Sequence, residues 1–263
     1  AEREIKLGLR SSLSYSFLIL LSFFTTAIFL VQEGVPSTRG YTDLTGTLIN
    51  ITLYLLPLIT LLLGGMSVTG EKERGHWGLL STYPISGHAL LWGKWIGLGA
   101  VLLVILSFSF GLAGLIAFLL GQSIPFDTLV FLWTFSVFLC LAYLSVALCF
   151  GALAKNRWQS IIAGITVWFI QILMWPTLVI GTLSHLPSYK LIQPALEAVT
   201  FLNPAELVRL FFTMRLGGGT AFGASYDQWI TWVASGRGDL LFLGIWLLWI
   251  GVPLFIAGWV SQR

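Results

Sequence analysis

Charge is the property that this sequence has least of. Only 10% of its 263 residues are charged, whereas a soluble domain carries about 25% charged residues. Since 57% of the residues are apolar, the chain lacks the polar surface that would keep so large an apolar core in water. A soluble globular fold is therefore excluded.

Cysteine is also scarce. The two cysteines, Cys140 and Cys149, lie in one predicted helix, where their spacing places them on opposite faces and about 13 Å apart along the axis. They cannot form a disulfide with each other. No CxxC spacing is present for a redox or zinc site.

The motifs of enzymes are missing as well. Neither HExxH nor GxSxG occurs, and the glycine-rich run at residues 217–220 lacks the GK[ST] ending of a phosphate-binding loop. The sequence pI is near 9.0, but the basic residues form no patch with interleaved aromatics, which argues against nucleic acid. The sequence thus predicts a non-catalytic chain without a cofactor, so any energy it uses must come from a partner.

Six long intervals without a charged residue are present instead. Each contains 22 to 32 residues, which suffices for a helix that needs roughly 20 apolar residues to cross a bilayer. The intervals are continuously apolar, unlike alternating barrel strands, and the first is too long for a signal-peptide core. We predict an all-α, polytopic membrane protein, with one transmembrane domain over residues 1–263. The predicted spans are residues 13–31, 47–68, 95–119, 128–154, 158–183 and 240–260.

The distribution of basic residues predicts the orientation. With the N-terminus inside, nine of the fourteen Lys and Arg residues fall in cytoplasmic segments, one falls in a short outer loop and four fall in a long one. Long loops count weakly in the positive-inside rule, so both termini are predicted to be cytoplasmic. The nine are Arg3, Lys6, Arg10, Lys72, Arg74, Lys94, Lys155, Arg157 and Arg263.

The predicted spans contain no Asp, Glu, Lys or Arg. Carriers driven by protons or sodium bind charge at membrane depth, and many ion channels use charged rings. Both classes are disfavoured. Glycines recur within the spans at spacings that predict close helix–helix packing. They are Gly93, Gly97, Gly244, Gly251 and Gly258.

Residues 1–10 precede the first span. Ile5 and Leu9 share one helix face, and charged residues cover the rest. This pattern predicts a short helix that lies along the inner leaflet. A simple basic segment that sets the topology explains the pattern equally well.

The inner loop, residues 71–94, reads EKERGHWGLLSTYPISGHALLWGK. We interpret Glu71 and Glu73 as part of a helix start, where carboxylates face the positive end of the helix dipole. An apolar row follows, Pro84 ends the helix, and Lys94 is placed to extend its ammonium group to the interface. The pattern favours an amphipathic helix that inserts into a groove on another protein, with a helix lying on lipid as the alternative. The row consists of Trp77, Leu80 and Tyr83.

This loop resembles the cytoplasmic signature of ABC transporter type-2 permeases. That signature has an acid-x-acid-x-Gly start, a Leu-Leu pair, a Pro followed by a small residue, and Gly-Lys at the next span. Glu71, Glu73, Gly75, Leu79, Leu80, Pro84, Ser86, Gly93 and Lys94 match it, whereas His76, Trp77 and Gly87 depart from it.

In that family the loop is a coupling helix that docks into a separate nucleotide-binding subunit. The resemblance therefore implies ATPase contacts at Glu71, Glu73, Arg74, Gly75, Trp77, Leu79, Leu80, Pro84 and Ser86. It covers the whole chain and implies a homodimer of permeases with two cytoplasmic ABC ATPases. ATP and Mg would bind to those ATPases, and the assembly would sit in the cytoplasmic membrane of a bacterium or archaeon.

The outer segment, residues 185–239, is too polar and too broken to span a membrane. Asn203 is the expected helix cap, Pro204 the first helical residue and Glu206 the reciprocal capping partner. Gly217 should end this helix. We predict that the helix helps to receive a periplasmic partner. The predicted contact residues are Asn203, Pro204, Glu206, Arg209 and Met214.

Several segments resemble one subgroup, the permeases of nitrous-oxide reductase maturation systems. They are FLNPAELVRL, the glycine-rich stretch after it, the ending IWLLWIGVPLFIAGW, and TYPIS with WGKWIG in the inner loop. The resemblance implies a role in assembling the copper–sulfur centre of the reductase, together with a periplasmic β-helical protein.

A metal site is not predicted, because the soft and imidazole ligands form no MxxM, CxxC or HxxxH cluster. His185 and Met214 are the candidates on the outer side. Three alternative functions stay open. They are an ABC exporter of a drug, lipid or peptide, a mechanical transducer that carries no substrate, and a membrane enzyme or scaffold that needs no ATPase.

Overall fold

The computed structural model describes residues 2–31, 41–75, 86–121, 125–184, 195–196, 198–219, 233 and 235–261. Within these ranges the regular structure is helical, which confirms the all-α prediction. The elements are α1 (Glu2–Leu9), α2 (Ser12–Val31), α3 (Asp43–Glu73), α4 (Gly87–Leu119), α5 (Phe126–Leu153), α6 (Arg157–Trp168), a π-helical segment (Phe169–Met174), α7 (Trp175–Ser184), α8 (Pro204–Arg215) and α9 (Gly236–Val260).

Five helical stretches are long and apolar enough to cross a membrane, and all five coincide with predicted spans. They are Asp43–Glu73, Gly87–Leu119, Phe126–Leu153, Arg157–Thr182 and Gly236–Val260. The remaining predicted span corresponds to α2, whose apolar stretch Ser12–Ile28 is shorter. The polytopic, helical character of the chain follows from these lengths and compositions.

The helix α5 forms the centre of the bundle. In its apolar window 72% of the residues are buried, against 11% for the stretch formed by α6, the π-helical segment and α7. The latter stretch therefore lies at the periphery, and it packs along α3. Indole groups tie the spans together, because the Nε1 of Trp246 donates to the Phe138 carbonyl at 2.9 Å and that of Trp95 donates to the Leu141 carbonyl at 3.1 Å.

Two helices extend further at one end than the charge pattern predicted. α3 continues to Glu73, five residues beyond the predicted end of the span, and α4 begins at Gly87, eight residues before the predicted start. We call this the basic end of the bundle, and it is the end predicted to be cytoplasmic. The helices run past the predicted borders because their charged residues meet partners on neighbouring helices there.

The fifth predicted span is interrupted by the π-helical segment Phe169–Met174. Pro176, in the first turn of α7, has no N–H to donate to the carbonyl four residues earlier. Such a missing donor favours a local change of helical register. The interruption matters because the Gln171 carbonyl within it accepts a hydrogen bond from a different segment, at Asn203.

The helix α8 belongs to the predicted outer segment, and the structure shows that it packs against α5 and α9 of the bundle. Just before its start, the Phe201 carbonyl accepts a hydrogen bond from Nε1 of Trp249, midway along α9. At its other end, Arg215 pairs with Asp239 in the first turn of α9. α8 is therefore re-entrant, rising from the middle of the bundle to the end opposite the basic one.

Aromatic packing explains why α8 enters the bundle. Phe212, which is 4% exposed, contacts Phe131, Phe135 and Phe138 of α5 at ring-centroid distances of 5.0 to 5.7 Å. Phe211 stacks on Phe242 of α9 at 4.0 Å. Burying large aromatic side chains contributes several kilocalories per mole, and a helix left on the surface would forgo that gain.

Small residues bring α3 and α5 together, but they are not the glycines that spacing suggested. A Cβ at Gly64 would lie 2.6 Å from Cβ of Ala147, and one at Gly151 would lie 2.9 Å from the Gly65 carbonyl oxygen. By contrast, a Cβ at Gly244 would meet no described atom within 4 Å. The same holds for Gly251, so the packing prediction for these two glycines of α9 is wrong.

We predict that Gly151→Ala destabilises the chain by about 1–3 kcal/mol, because the added methyl group overpacks against a backbone carbonyl that cannot rotate away. Gly244→Ala, also within a span but facing open space, should be neutral. Thermal unfolding of the detergent-purified variants measures both effects. Equal losses in the two variants would contradict the close approach of α3 and α5.

Candidate functional site

The two borders of the predicted coupling loop lie at the basic end. α3 ends at Glu73, and Gly75 follows with a φ of 74°, a left-handed conformation that turns the chain away from the helix. On the far side, Ser86 caps α4 by accepting a hydrogen bond from the Ala89 N–H at 3.3 Å. The loop between them, with Trp77, Leu79, Leu80 and Pro84, lies outside the described residues.

The two acidic residues of the loop border stand at the end of a helix, not at its start. Glu71 and Glu73 belong to the last turn of α3, where the helix dipole disfavours negative charge. The predicted stabilisation by a helix N-terminus is therefore wrong. Each carboxylate is instead held by a cation from another helix.

Glu71 belongs to a buried ion triad. Nζ of Lys94 lies 3.0 Å from Oε2 of Glu71 and 3.1 Å from Oε1 of Glu4, and the three side chains are 3%, 9% and 12% exposed, in the order Lys94, Glu71, Glu4. A buried charge that loses its partner costs several kilocalories per mole. The triad therefore fixes α1, the end of α3 and the start of α4 to one another.

Lys72 caps the C-terminal end of α5. Its ammonium group donates to the carbonyls of Gly151, Ala152 and Ala154 at 3.2, 2.5 and 2.9 Å. These groups belong to the last turn of a helix, where carbonyls lack intrahelical donors and a cation is favoured. Lys72 thus satisfies three acceptors and joins α3 to α5.

Glu73 holds the start of α6. One carboxylate oxygen lies 2.9 Å from Nε of Arg157, and the other accepts the Arg157 backbone N–H at 2.8 Å. Both side chains are more than one-third exposed, so the ion pair contributes little to stability. Its effect is positional, because it places the first residue of the fifth span against the end of α3.

Three consecutive residues of α3 therefore bind three different helices. We call this set the α3 hub, which comprises Glu71 with α4, Lys72 with α5 and Glu73 with α6. A displacement of the loop that follows α3 would reach all three helices at once.

At the other predicted site, Asn203 bridges two elements. Its Oδ1 accepts the Ala205 N–H at 2.9 Å, which confirms the predicted cap of α8, and its Nδ2 donates to the Gln171 carbonyl at 2.6 Å. The side chain is inside the bundle, since the residue is 1% exposed. Asn203 therefore joins the start of α8 to the π-helical segment.

The remaining residues of the predicted partner contact differ in how exposed they are. Pro204 is buried, and Met214 is 6% exposed in an apolar cluster with Leu210 and Val233. Glu206 forms a bidentate ion pair with Arg209 at 2.5 and 3.1 Å, in place of the predicted reciprocal cap. Only this ion pair, 17% and 27% exposed, reaches the surface of the chain. His185 lies outside the described residues.

Sequence reasoning missed the residues that complete the α3 hub. Lys94 was placed at the interface, but it is 3% exposed and paired. Its partner Glu4 is 90 residues away in sequence, and no local pattern signals such a contact. For Arg157, the sequence contained one local signal of its position at a helix start. It follows Asn156, whose side chain caps α6 by accepting the Gln159 N–H at 2.9 Å.

Comparison with known proteins identifies the family of the chain. Residues 7–261 match the family described as ABC-2 family transporter protein. A probable ABC transporter permease protein NosY from Stutzerimonas stutzeri is 29% identical over an alignment of 279 positions, which covers 100% of this chain and 96% of that protein. The NosY protein of Pseudomonas aeruginosa is 28% identical over 275 residues, with the same coverage. The chain therefore belongs to the ABC-2 transporter family, as a membrane-spanning permease subunit.

Proposed function

We propose that this chain, as a homodimer, couples ATP hydrolysis by two copies of a separate cytoplasmic ATPase to movement at the opposite end of the bundle. The observation that carries the proposal is the α3 hub. It borders the loop that resembles a coupling helix and ties that border to three helices. ATP and Mg belong to the ATPase, since the sequence contains no nucleotide-binding motif.

The fifth span supports a route between the two ends. Its first residue, Arg157, is fixed to Glu73 of the hub, and its π-helical segment is fixed to Asn203 at the start of α8. A helix shift at the hub would therefore move the start of α8. α8 carries the Glu206–Arg209 pair, which is the part of the predicted outer contact that reaches the surface.

The narrower proposal is maturation of the copper–sulfur centre of nitrous-oxide reductase, with a periplasmic β-helical protein as the outer partner. It is supported by the likeness to two NosY permeases along the full chain and by FLNPAELVRL, which contains the Asn203 bridge. Within the described residues, no group of three or more His, Cys, Asp and Glu side chains is placed to hold a metal. Transmission of movement requires no metal ligand in this chain.

Transport of a drug, lipid or peptide is the competing proposal. Proteoliposomes that contain the permease and its ATPase separate the two. ATP-dependent flux of a defined solute would favour the exporter. ATP-dependent movement of α8 without flux would favour the transducer, and failure of any ABC ATPase to co-purify from native membranes would remove both.

We predict that Glu73→Arg reduces the stimulation of ATP hydrolysis by the permease about tenfold, within the range of typical coupling energies. The reason is that two guanidinium groups would then face each other where α3 meets α6. The double variant Glu73→Arg with Arg157→Glu should recover most of the stimulation, because the pair is restored with reversed polarity. ATPase rates in proteoliposomes measure the effect.

Asp127→Arg is a matched control for that charge reversal, since Asp127 is exposed in the first turn of α5. It should leave the stimulation unchanged.

A related test replaces both Glu71 and Glu73 by Ala, which should uncouple hydrolysis while the chain still inserts into the membrane. Normal coupling in Glu73→Arg would count against the hub.

We predict that Asn203→Ser removes the effect of ATP on α8. A serine hydroxyl still caps the helix, but it is too short to reach the Gln171 carbonyl, so only the bridge to the fifth span is lost. In the wild type, ATP should change the hydrogen exchange of residues 204–215. In the variant this change should disappear, while the protection measured without ATP stays close to wild type.

Thr182→Ala serves as the control for Asn203→Ser. The Thr182 hydroxyl is exposed, and among the described residues it bonds to carbonyls of its own helix, at Leu178 and Val179. Removing it deletes a polar group from the same span without touching α8. An unchanged ATP response in Asn203→Ser would refute the route through Asn203.

A further inference from the structure

A cavity of about 430 Å³ lies at the basic end, beside the α3 hub. Its walls come from α1, the junction of α1 and α2, α3, α4 and the start of α6. This volume falls within the range of small-molecule sites, roughly 300–1,000 Å³. Neither the coupling contacts nor the route to α8 requires such a space.

The cavity presents cationic hydrogen-bond donors. Arg74 and Arg157 both line it. The guanidinium group of Arg157 lies over Gly70, where a Cβ would be 3.1 Å from Nη2. Arg74 is exposed and makes no ion pair with a described residue. Planar guanidinium groups favour phosphate oxygens, to which they donate two hydrogen bonds at once.

The carboxylates near the cavity are already engaged. Glu4 and Glu71 are both bound by Lys94, and Glu73 is bound by Arg157. Among the described residues that line the cavity, Arg74 is therefore the charged group without an ion pair. An anion entering the cavity meets at least this one uncompensated cation.

A buried hydroxyl group in the wall is left without a partner. Ser14 is 3% exposed, and its Oγ makes no hydrogen bond within the described part of the chain. A buried hydroxyl without a hydrogen-bond partner is unfavourable, and a ligand oxygen would offset that cost. Ser14 thus points to an occupant with hydrogen-bonding oxygens, independently of the arginines.

The apolar part of the lining indicates what else the occupant carries. Leu63, Met66 and Leu98 line the cavity. Leu7 and Leu13 also line it and are 50% and 38% exposed. They extend the apolar wall to the surface of the bundle, next to the helix predicted to lie along the leaflet. A free phosphate would leave these side chains uncovered, whereas a lipid would cover them.

We propose that this cavity binds the headgroup of an anionic phospholipid from the adjacent leaflet. The phosphate oxygens accept hydrogen bonds from Arg74 and Arg157, the glycerol oxygens accept one from Ser14, and the acyl chains leave along Leu7 and Leu13. Because Glu4 and Glu71 share the walls of the cavity, the bound lipid braces α1 against the α3 hub. The proposal is independent of the transported species and of the ATPase.

Native mass spectrometry of the detergent-purified full chain tests the proposal, with phosphatidylglycerol or phosphatidylcholine added at matched concentrations. We expect one phosphatidylglycerol per chain to be retained, and phosphatidylcholine to be retained about tenfold less. Arg74→Gln should weaken retention of phosphatidylglycerol about tenfold, which corresponds to roughly 1.4 kcal/mol. Ser14→Leu, which fills the cavity without changing any charge, should abolish specific retention.

Lys155→Gln is the matched control for Arg74→Gln. Lys155 is an exposed cation at the same end of the bundle, but it does not line the cavity, so the variant should retain phosphatidylglycerol as the wild type does. If Ser14→Leu fails to fold, Ser14→Ala removes the hydroxyl alone and should weaken retention about threefold, the low end of a net hydrogen bond.

Three results would overturn the proposal. Equal retention in all variants would mean that the lipid is bound only as part of the surrounding annulus. Full displacement by soluble glycerol 3-phosphate would assign the cavity to a free phosphate ester. Loss of the dimer along with the lipid in Ser14→Leu, but not in Arg74→Gln, would assign the cavity to a contact between two copies of the chain.

Discussion

Glu71, Lys72 and Glu73 hold α4, α5 and α6 at the point where α3 leaves the bundle. The helix dipole disfavours two carboxylates at the end of a helix. Removing the half-buried ammonium group of Lys72 from water also costs free energy. The facing charges and carbonyls offset these costs. These costs make the contact specific, because another arrangement of the helices would leave Glu71, Lys72 and Glu73 without their partners.

Different interactions predominate at the basic end of the bundle and around α8. The basic end is held by ion pairs, whose strength depends on geometry and local dielectric. Aromatic packing around Phe212 and the hydrogen bond from the Trp249 indole to the Phe201 carbonyl hold α8 in the bundle, and the Arg215–Asp239 ion pair joins α8 to α9 at the opposite end. Between them, the peripheral fifth span is joined to α3 by the hydrogen bond from Trp168 to the Tyr54 carbonyl and to the start of α8 by that from Asn203 to the Gln171 carbonyl. The fifth span, with its π-helical interruption, therefore connects the ion pairs of the basic end to the aromatic packing of α8. Such an arrangement is suited to passing a displacement along the bundle.

Much of the fold was predictable because a bilayer limits the choices of the chain. Long charge-free intervals have one stable solution in a membrane, the helix, so helix class and approximate span positions followed from composition. Asn203 and Pro204 also predicted the start of α8 correctly, since capping is a local interaction. The predictions failed where contacts between residues far apart in the sequence determine the structure. Glu4 lies far from Lys94 in sequence, and Gly151 lies far from Gly65, yet these pairs set the ends and the separation of helices.

The amino-acid sequence by itself determined the helical class and the approximate spans, because both depend on composition or on neighbours within a few positions. Only the tertiary structure decided that α8 packs into the bundle, that Glu71 and Glu73 bind cations of other helices, and that Ser14 borders a cavity. These features depend on contacts between segments far apart in the chain, and on whether a buried polar group finds a partner there. Charge scarcity, the first property of this sequence, is what gives its few charges their influence.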